Sequence, residues 1–144
     1  MTPPQRPEAM ATPSAAGAAA AASYFLQLYP YALATGDVAE WNEMSAETCT
    51  FCSEIRDEVS ELHGAGGHSI GGLTVLTAEG KDLGGNNWYA SRVTVRIAPS
   101  VDLDASGAVL REDDGGDYDL DLAMTWSDGW VIDSVGPAPT PSAP

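Results

Sequence analysis

The sequence predicts an α+β domain in which three N-terminal helices pack on a curved antiparallel sheet of four to six strands. Two observations predict this class. Apolar residues recur every three or four positions in the first half of the chain, which is typical of helices, and every second position in the second half, which is typical of strands. Short glycine- and aspartate-rich turns separate the strand candidates, and short connections favour antiparallel neighbours. The helices are then the material that can cover the apolar face of the sheet.

The helical half is predicted to contain three helices, which end near Ala34, Met44 and His63. The first is expected to begin in the alanine run, with a kink or a late start because Pro30 removes one backbone donor. Gly36 suits the position after a helix, and Asp37 suits the N-cap of the short second helix.

The C-terminal half shows the period of strands. It is clearest where Tyr118, Leu120 and Leu122 alternate with acidic residues, which predicts one buried and one solvated face. The predicted strands are Leu73–Ala78, Trp88–Ala98, Val109–Glu112, Tyr118–Trp126 and Trp130–Val135.

Low-complexity segments are predicted at both ends of a single folded domain over residues 21–136. Residues 1–20, rich in alanine and proline, are expected to form a disordered leader, and residues 137–144 a proline-rich disordered tail. Met1 is followed by proline and polar residues rather than by the apolar region of a signal peptide. We therefore expect either a cytosolic protein or an exported one whose signal lies upstream.

The charge of the chain limits its partners. The formal net charge is -15, from 21 acidic residues against six lysines and arginines. A surface this negative repels phosphate backbones and anionic lipid head groups, so we expect no nucleic-acid partner and no polybasic attachment to membranes. Solubility is the simplest role for such a surface.

The only two cysteines, Cys49 and Cys52, lie at the predicted start of the third helix. A redox-active pair would use the helix N-terminus to lower a thiol pKa, but no βαβ unit of the thioredoxin type surrounds this one. A zinc site would add His63 and His68, yet an unbroken helix would separate Cys52 from His63 by about 16 Å. A structural disulfide needs only the closeness of positions three apart, and an oxidising compartment. We favour the disulfide among these alternatives.

Residues 102–113 resemble an EF-hand calcium loop. Its ligand positions are occupied by Asp102, Asp104, Ser106 and Asp113. The last of these is shorter than the usual glutamate, and the flanking residues are strand-like rather than helical. We therefore interpret the segment as a hairpin turn and keep calcium binding as an alternative.

Neither a catalytic set nor a cofactor site is predicted. His63 and His68 lack a nucleophile or carboxylate at a defined spacing, so neither is assigned as a general base. Trp88 falls outside the apolar alternation of its strand and shares a face with Arg92 and Arg96, so these three are the candidates for lining a pocket.

A set of short motifs resembles an uncharacterised family of actinobacterial lipoproteins. The motifs are Phe25, Ala32-x-Ala34-Thr35-Gly36-Asp37, Cys49-x-x-Cys52, Ile55 and Gly129-Trp130-x-Ile132. The resemblance implies a nuclear-transport-factor-2-like cone, export, a lipid-modified cysteine ahead of the leader, and a disulfide between Cys49 and Cys52. That lipidated cysteine is absent from this sequence, so we expect the domain to attach to a membrane only through a lipid anchor that the sequence does not contain. The resemblance implies no activity and no catalytic residues.

We therefore expect a non-catalytic extracytoplasmic domain of the cell envelope that binds a small ligand or a protein partner in the mouth of the cone. The alternative is an enzyme of the isomerase or dehydratase type, which would need a buried Asp–His or Tyr–Asp pair in that mouth. Asp119, Asp121 and Asp133 are expected to face outward by alternation, which favours binding. A third alternative is an interaction module without a pocket, its cone filled by Phe25, Trp41, Phe51 and Trp126.

Overall fold

The structure, a computed structural model, describes residues 2–138 and confirms the α+β class. Three α-helices come first: α1 (Ala15–Thr35), α2 (Ala39–Met44) and α3 (Thr50–Gly64). The strands follow as β1 (His68–Ile70), β2 (Leu73–Asp82), β3 (Trp88–Ile97), β4 (Ser100–Leu103), β5 (Val109–Asp113), β6 (Gly116–Trp126) and β7 (Trp130–Pro137). Within the described range, no helix is both long and apolar enough to cross a membrane.

Helix α1 runs through Pro30 to Thr35, so the late start expected from this proline is not observed. Leu28 and Ala32, on either side of Pro30, are both buried, and their packing outweighs the lost backbone hydrogen bond. The helix ends where Gly36 adopts the left-handed conformation and donates its N–H to the Ala32 carbonyl.

The N-terminal segment belongs to the fold, which corrects the prediction of a disordered leader over residues 1–20. A 3₁₀ helix, Glu8–Ala11, precedes α1, and Met10 is only 5% exposed. The indole Nε1 of Trp130 donates a hydrogen bond of 2.8 Å to the Met10 carbonyl. Composition could not show this, because one buried side chain anchors a segment whose other residues are small or polar.

The C-terminal boundary is also later than predicted. Strand β7 continues to Pro137, and the N–H of Ala138 donates to the carbonyl of Asp119 at 2.9 Å. The predicted tail of residues 137–144 therefore begins inside the sheet, and its residues 139–144 lie outside the described part of the chain.

Two antiparallel sheets replace the single sheet of the prediction. The larger has the strand order β2-β3-β6-β7, and the smaller has the order β1-β4-β5. Each strand of the smaller sheet is next in the chain to a strand of the larger one. Strand β1 leads into β2, β3 leads into β4, and β5 leads into β6. The breaks fall at Gly71-Gly72, Ala98-Pro99 and Asp114-Gly115. Glycine and proline interrupt regular pairing here, so the two sheets are separated along this line, which is called the bend below.

The core lies between α1 and the larger sheet. Alternate residues of β3 and β6 are buried on the face toward the helices, as the strand period predicted; they are Tyr89, Val93, Val95, Leu122 and Met124. Phe25 stacks on Trp41 with ring centroids 4.0 Å apart, and both are buried. These aromatic rings fill the middle of the domain but leave the line of the bend open.

Candidate functional site

A cavity of about 110 Å³ lies along the bend between the two sheets. Its floor is formed by the residues that make the bend, among them Gly71, Gly72 and Ile97. Tyr29 and Leu33 of α1 close one side, and the smaller sheet closes the other. The cavity therefore lies where α1, the larger sheet and the smaller sheet meet.

The wall formed by the smaller sheet is polar. Ser69 of β1 pairs with Asp102 of β4, which in turn pairs with Arg111 of β5, so the three form one cross-strand row. Ser100 and Asp113 form the next row on the same face. All five side chains line the cavity, as the alternation of strands requires.

The opposite wall carries two titratable groups from the helices. Burial raises the pKa of Tyr29 to about 12, and the Glu58 carboxylate adds to the rise. Burial also raises the pKa of Glu58, while Arg111 lowers it and Asp102 raises it. Helix α1 and helix α3 therefore bring a protonated phenol and a half-buried carboxyl to the same charged row of the smaller sheet.

The cavity holds more negative than positive charge. Among the described residues, Arg111 is the one cation on the lining, and its Nη2 lies 3.6 Å from the Oδ2 of Asp113. Of the salt bridges formed within residues 2–138, none involves Glu58 or Asp102. Two half-buried carboxyl groups thus face the cavity without an ion-pair partner.

The pocket candidates from the sequence lie elsewhere. Trp88, Arg92 and Arg96 share one face of β3, as predicted, but that face points away from the helices, and none of the three lines the cavity along the bend. Arg92 forms two hydrogen bonds with Asp121, of 2.8 and 3.0 Å, and Arg96 forms two with Asp117, of 2.9 and 3.0 Å. The three residues thus share the face that the alternation predicted, and it is the outer face of the larger sheet, where both arginines pair with aspartates.

The calcium-loop candidates separate into two groups. Asp104 closes the β4–β5 turn, its Oδ1 accepting from the N–H and hydroxyl of Ser106 at 2.9 and 2.7 Å. These hydrogen bonds lower the pKa of Asp104. Asp102 and Asp113 instead lie on strands and line the cavity. The hairpin interpretation is therefore confirmed, and within the described chain no three acidic, histidine or cysteine side chains cluster as metal ligands would.

Cys49 and Cys52 form a disulfide whose Cα atoms are 5.2 Å apart, and both residues are buried. The Cys49 sulfur also accepts the N–H of Cys52, which caps the start of α3. The Cys52 carbonyl accepts a 3.0 Å hydrogen bond from the indole of Trp41. His63, the histidine of the zinc alternative on the same helix, is engaged elsewhere, since its Nε2 lies 2.7 Å from the carbonyl oxygen of Leu33. The zinc interpretation is therefore wrong, because both thiols are consumed in the bridge.

The acidic residues on which the enzyme alternative depends are held on the outer face of the larger sheet. Asp121 pairs with Arg92, and Asp119 accepts a 2.6 Å hydrogen bond from the hydroxyl of Thr94. Asp133 accepts one of 2.6 Å from Thr125. All three face outward, as the alternation predicted.

Several solved structures share the fold, among them the two that follow. The intermembrane space region of the chloroplast protein ARC6 superposes with a TM-score of 0.62 at 14% sequence identity, covering 85% of this chain and 97% of that one. An uncharacterised protein with a cystatin-like fold from Caulobacter vibrioides superposes with a TM-score of 0.53 at 13% identity, covering 83% and 85%. At these identities the similarity shows the fold alone. No curated protein matches the chain in sequence.

A protein-family model matches residues 2–136. The matched range takes in the N-terminal segment that contacts Trp130 as well as every strand that borders the cavity. The chain therefore belongs to the family of unknown function DUF6318.

Proposed function

We propose that this protein is a non-catalytic extracytoplasmic domain of the cell envelope that binds a small ligand in the cavity along the bend. The observation that carries the proposal is the lining of this cavity, in which Glu58, Asp102 and Ser69 face one space together with two tyrosines. Ligand sites are concave and combine apolar walls with a few convergent polar groups. Leu33, Leu73 and Ile97 supply the apolar walls here.

Binding is favoured over catalysis by the residue types present. Within residues 2–138, no histidine or cysteine lines the cavity. The phenol of Tyr29, whose pKa is raised to about 12, stays protonated at neutral pH and is poorly suited to act as a general base. A protonated phenol is a good hydrogen-bond donor to a bound ligand.

The compartment is proposed on two grounds. Disulfides form and persist in oxidising compartments, and the Cys49–Cys52 bridge is buried in the fold. The sequence motifs also resemble exported actinobacterial lipoproteins with a nuclear-transport-factor-2-like cone. In this proposal, a lipid-modified cysteine upstream of the N-terminal segment would hold the domain at the membrane.

A thermal-shift panel of small charged and neutral metabolites tests the binding function. Gly72 lines the cavity, and a Cβ added there would meet no atom within 4 Å, so Gly72→Leu fills the cavity without a clash at the Cβ. Gly136 of β7 is equally open and lies outside the cavity, so Gly136→Leu is the matched control. We expect ligand-induced stabilisation of the wild type and of Gly136→Leu but not of Gly72→Leu. Equal stabilisation of all three proteins would contradict the proposal.

A further inference from the structure

We propose that the ligand of this cavity is a small organic cation, bound through a primary ammonium group on a short carbon chain. The inference rests on the proposed binding function and names its ligand class. It is carried by two carboxyl groups without a salt bridge, the hydroxyl of Ser69, which opens on the cavity without a hydrogen-bond partner, and two aromatic rings, all on the lining of one cavity.

The charges favour a cation. Arg111 forms its salt bridge with Asp113, and although it also attracts Glu58, neither Glu58 nor Asp102 has a salt-bridge partner of its own within residues 2–138. Their mutual repulsion and partial burial are relieved when a cation enters between them. An anion drawn to Arg111 would instead have to displace Asp113 and approach two further carboxylates. The excess negative charge of the lining thus favours a positively charged ligand.

Ser69 supplies the second, independent observation. The residue is only 5% exposed and lines the cavity, in the same cross-strand row as Asp102. None of the side-chain hydrogen bonds formed within residues 2–138 involves its hydroxyl. No fully buried side-chain nitrogen or oxygen in that range lacks a partner, so this oxygen is not fully buried. The hydroxyl therefore reaches the open space of the cavity. An ammonium group has three N–H donors, and two carboxylates and this hydroxyl provide three acceptors.

The remaining lining suits the rest of such a molecule. The rings of Tyr29 and Tyr118 flank the cavity, and an aromatic face attracts an organic cation. A volume of about 110 Å³ is smaller than the roughly 150 Å³ cavity that holds benzene, so it fits a chain of a few carbon atoms. A bare metal ion fits less well, because no three acidic, histidine or cysteine side chains among the described residues lie close enough together to hold one.

The experiment is a calorimetric titration of the intact chain with n-butylammonium, using butanoate and 1-butanol as probes of the same size and different charge. We expect n-butylammonium to bind with a dissociation constant of roughly 1 mM, within the limit for a ligand of this size. Glu58→Gln and Asp102→Asn should each weaken it by about tenfold, as the loss of a charged partner does. Glu61→Gln removes the same charge from an exposed position of α3 and should leave the affinity unchanged.

Each of the following outcomes would overturn the inference. Butanoate or 1-butanol binding as tightly as n-butylammonium would show that charge does not select the ligand. Equal weakening by Glu61→Gln would assign the binding to the acidic surface as a whole. Wild-type affinity in both Glu58→Gln and Asp102→Asn would remove the cavity from the interaction. If a neutral or anionic compound stabilises the wild type but not Gly72→Leu, the cationic ligand is wrong and the proposed binding function still holds. If no compound binds at all, both the cationic ligand and the binding function are contradicted.

Discussion

The indole nitrogen of Trp130 and the carbonyl oxygen of Met10 lie 2.8 Å apart and are joined by a hydrogen bond across 120 residues of the chain. The contact fixes the N-terminal segment to the last strand of the larger sheet. Arg6 adds to it, since its guanidinium lies 5.3 Å from the ring centroid of Tyr24 and 3.1 Å from the Glu40 carboxylate. The segment thus forms part of the packed structure rather than a leader in front of it.

Met10→Ala should therefore destabilise the domain by about 2 kcal/mol or more, the usual effect of truncating a buried methionine. Leu110→Ala is the control, because Leu110 is 60% exposed on β5 and its truncation should change stability by less than about 0.5 kcal/mol. Urea unfolding of both variants measures the difference. Equal stability of Met10→Ala and the wild type would show that the segment does not pack as described.

The disulfide should stabilise the start of α3. Closing so short a loop is worth about 2 kcal/mol in the chain-entropy model, and the double variant Cys49→Ser/Cys52→Ser should lose about that amount. Because Cys52 holds the indole of Trp41, the loss should also shift tryptophan fluorescence. Thiol titration of the denatured, unreduced protein is the direct check, and two reactive thiols would contradict the bridge.

Glu58 should reduce the stability of the ligand-free protein at neutral pH. Its pKa is raised by burial and by Asp102, against the opposing effect of Arg111, while Tyr29 faces it from α1. A carboxyl group with a raised pKa binds its proton more tightly in the folded state. The free energy of unfolding therefore falls as the pH rises from 4.5, the ordinary pKa of a glutamate, through the raised pKa of Glu58 in the folded protein.

Glu58→Gln should remove this dependence. We expect its melting temperature to exceed that of the wild type at pH 7 and to equal it below pH 4, where both side chains are neutral. Calorimetric melting curves across this pH range test the expectation. A lower melting temperature of Glu58→Gln at pH 7 would mean that the carboxylate has a stabilising partner.

Gly115 should be needed for the bend. It adopts φ 72°, and a Cβ there would overlap the carbonyl oxygen of Ile97. Gly85 has a similar φ of 78° with nothing within 4 Å of such a Cβ, so Gly85→Ala isolates the backbone strain. We expect about 1 kcal/mol of destabilisation for Gly85→Ala and a further 1 to 3 kcal/mol for Gly115→Ala. Equal effects in denaturant unfolding would show that the bend tolerates a side chain.

The larger sheet was predictable because its strands are long. Val93 and Val95 in β3, like Leu122 and Met124 in β6, keep one face buried over enough residues for the alternation to emerge. Strands β1 and β4, of three and four residues, are too short to show a period, so the second sheet was missed.

The cavity was not predictable for a related reason. Glu58 belongs by sequence to the acidic, solvated face of α3, and only the position of the smaller sheet makes it half-buried. Asp102 and Asp113 were singled out, but for a calcium loop rather than for the wall they form. Arg111 carried the one usable signal, a rare cation within a strongly acidic stretch.

The most direct test of the central claim is a ¹H–¹⁵N NMR titration of the wild type and Gly72→Leu with n-butylammonium. A ligand site in the cavity predicts saturable chemical-shift changes in the wild type, concentrated at the amides of Ser69, Gly71, Gly72 and Asp102. These changes should be absent in Gly72→Leu. Shifts spread over the acidic surface, or unchanged in Gly72→Leu, would contradict a ligand site at the bend.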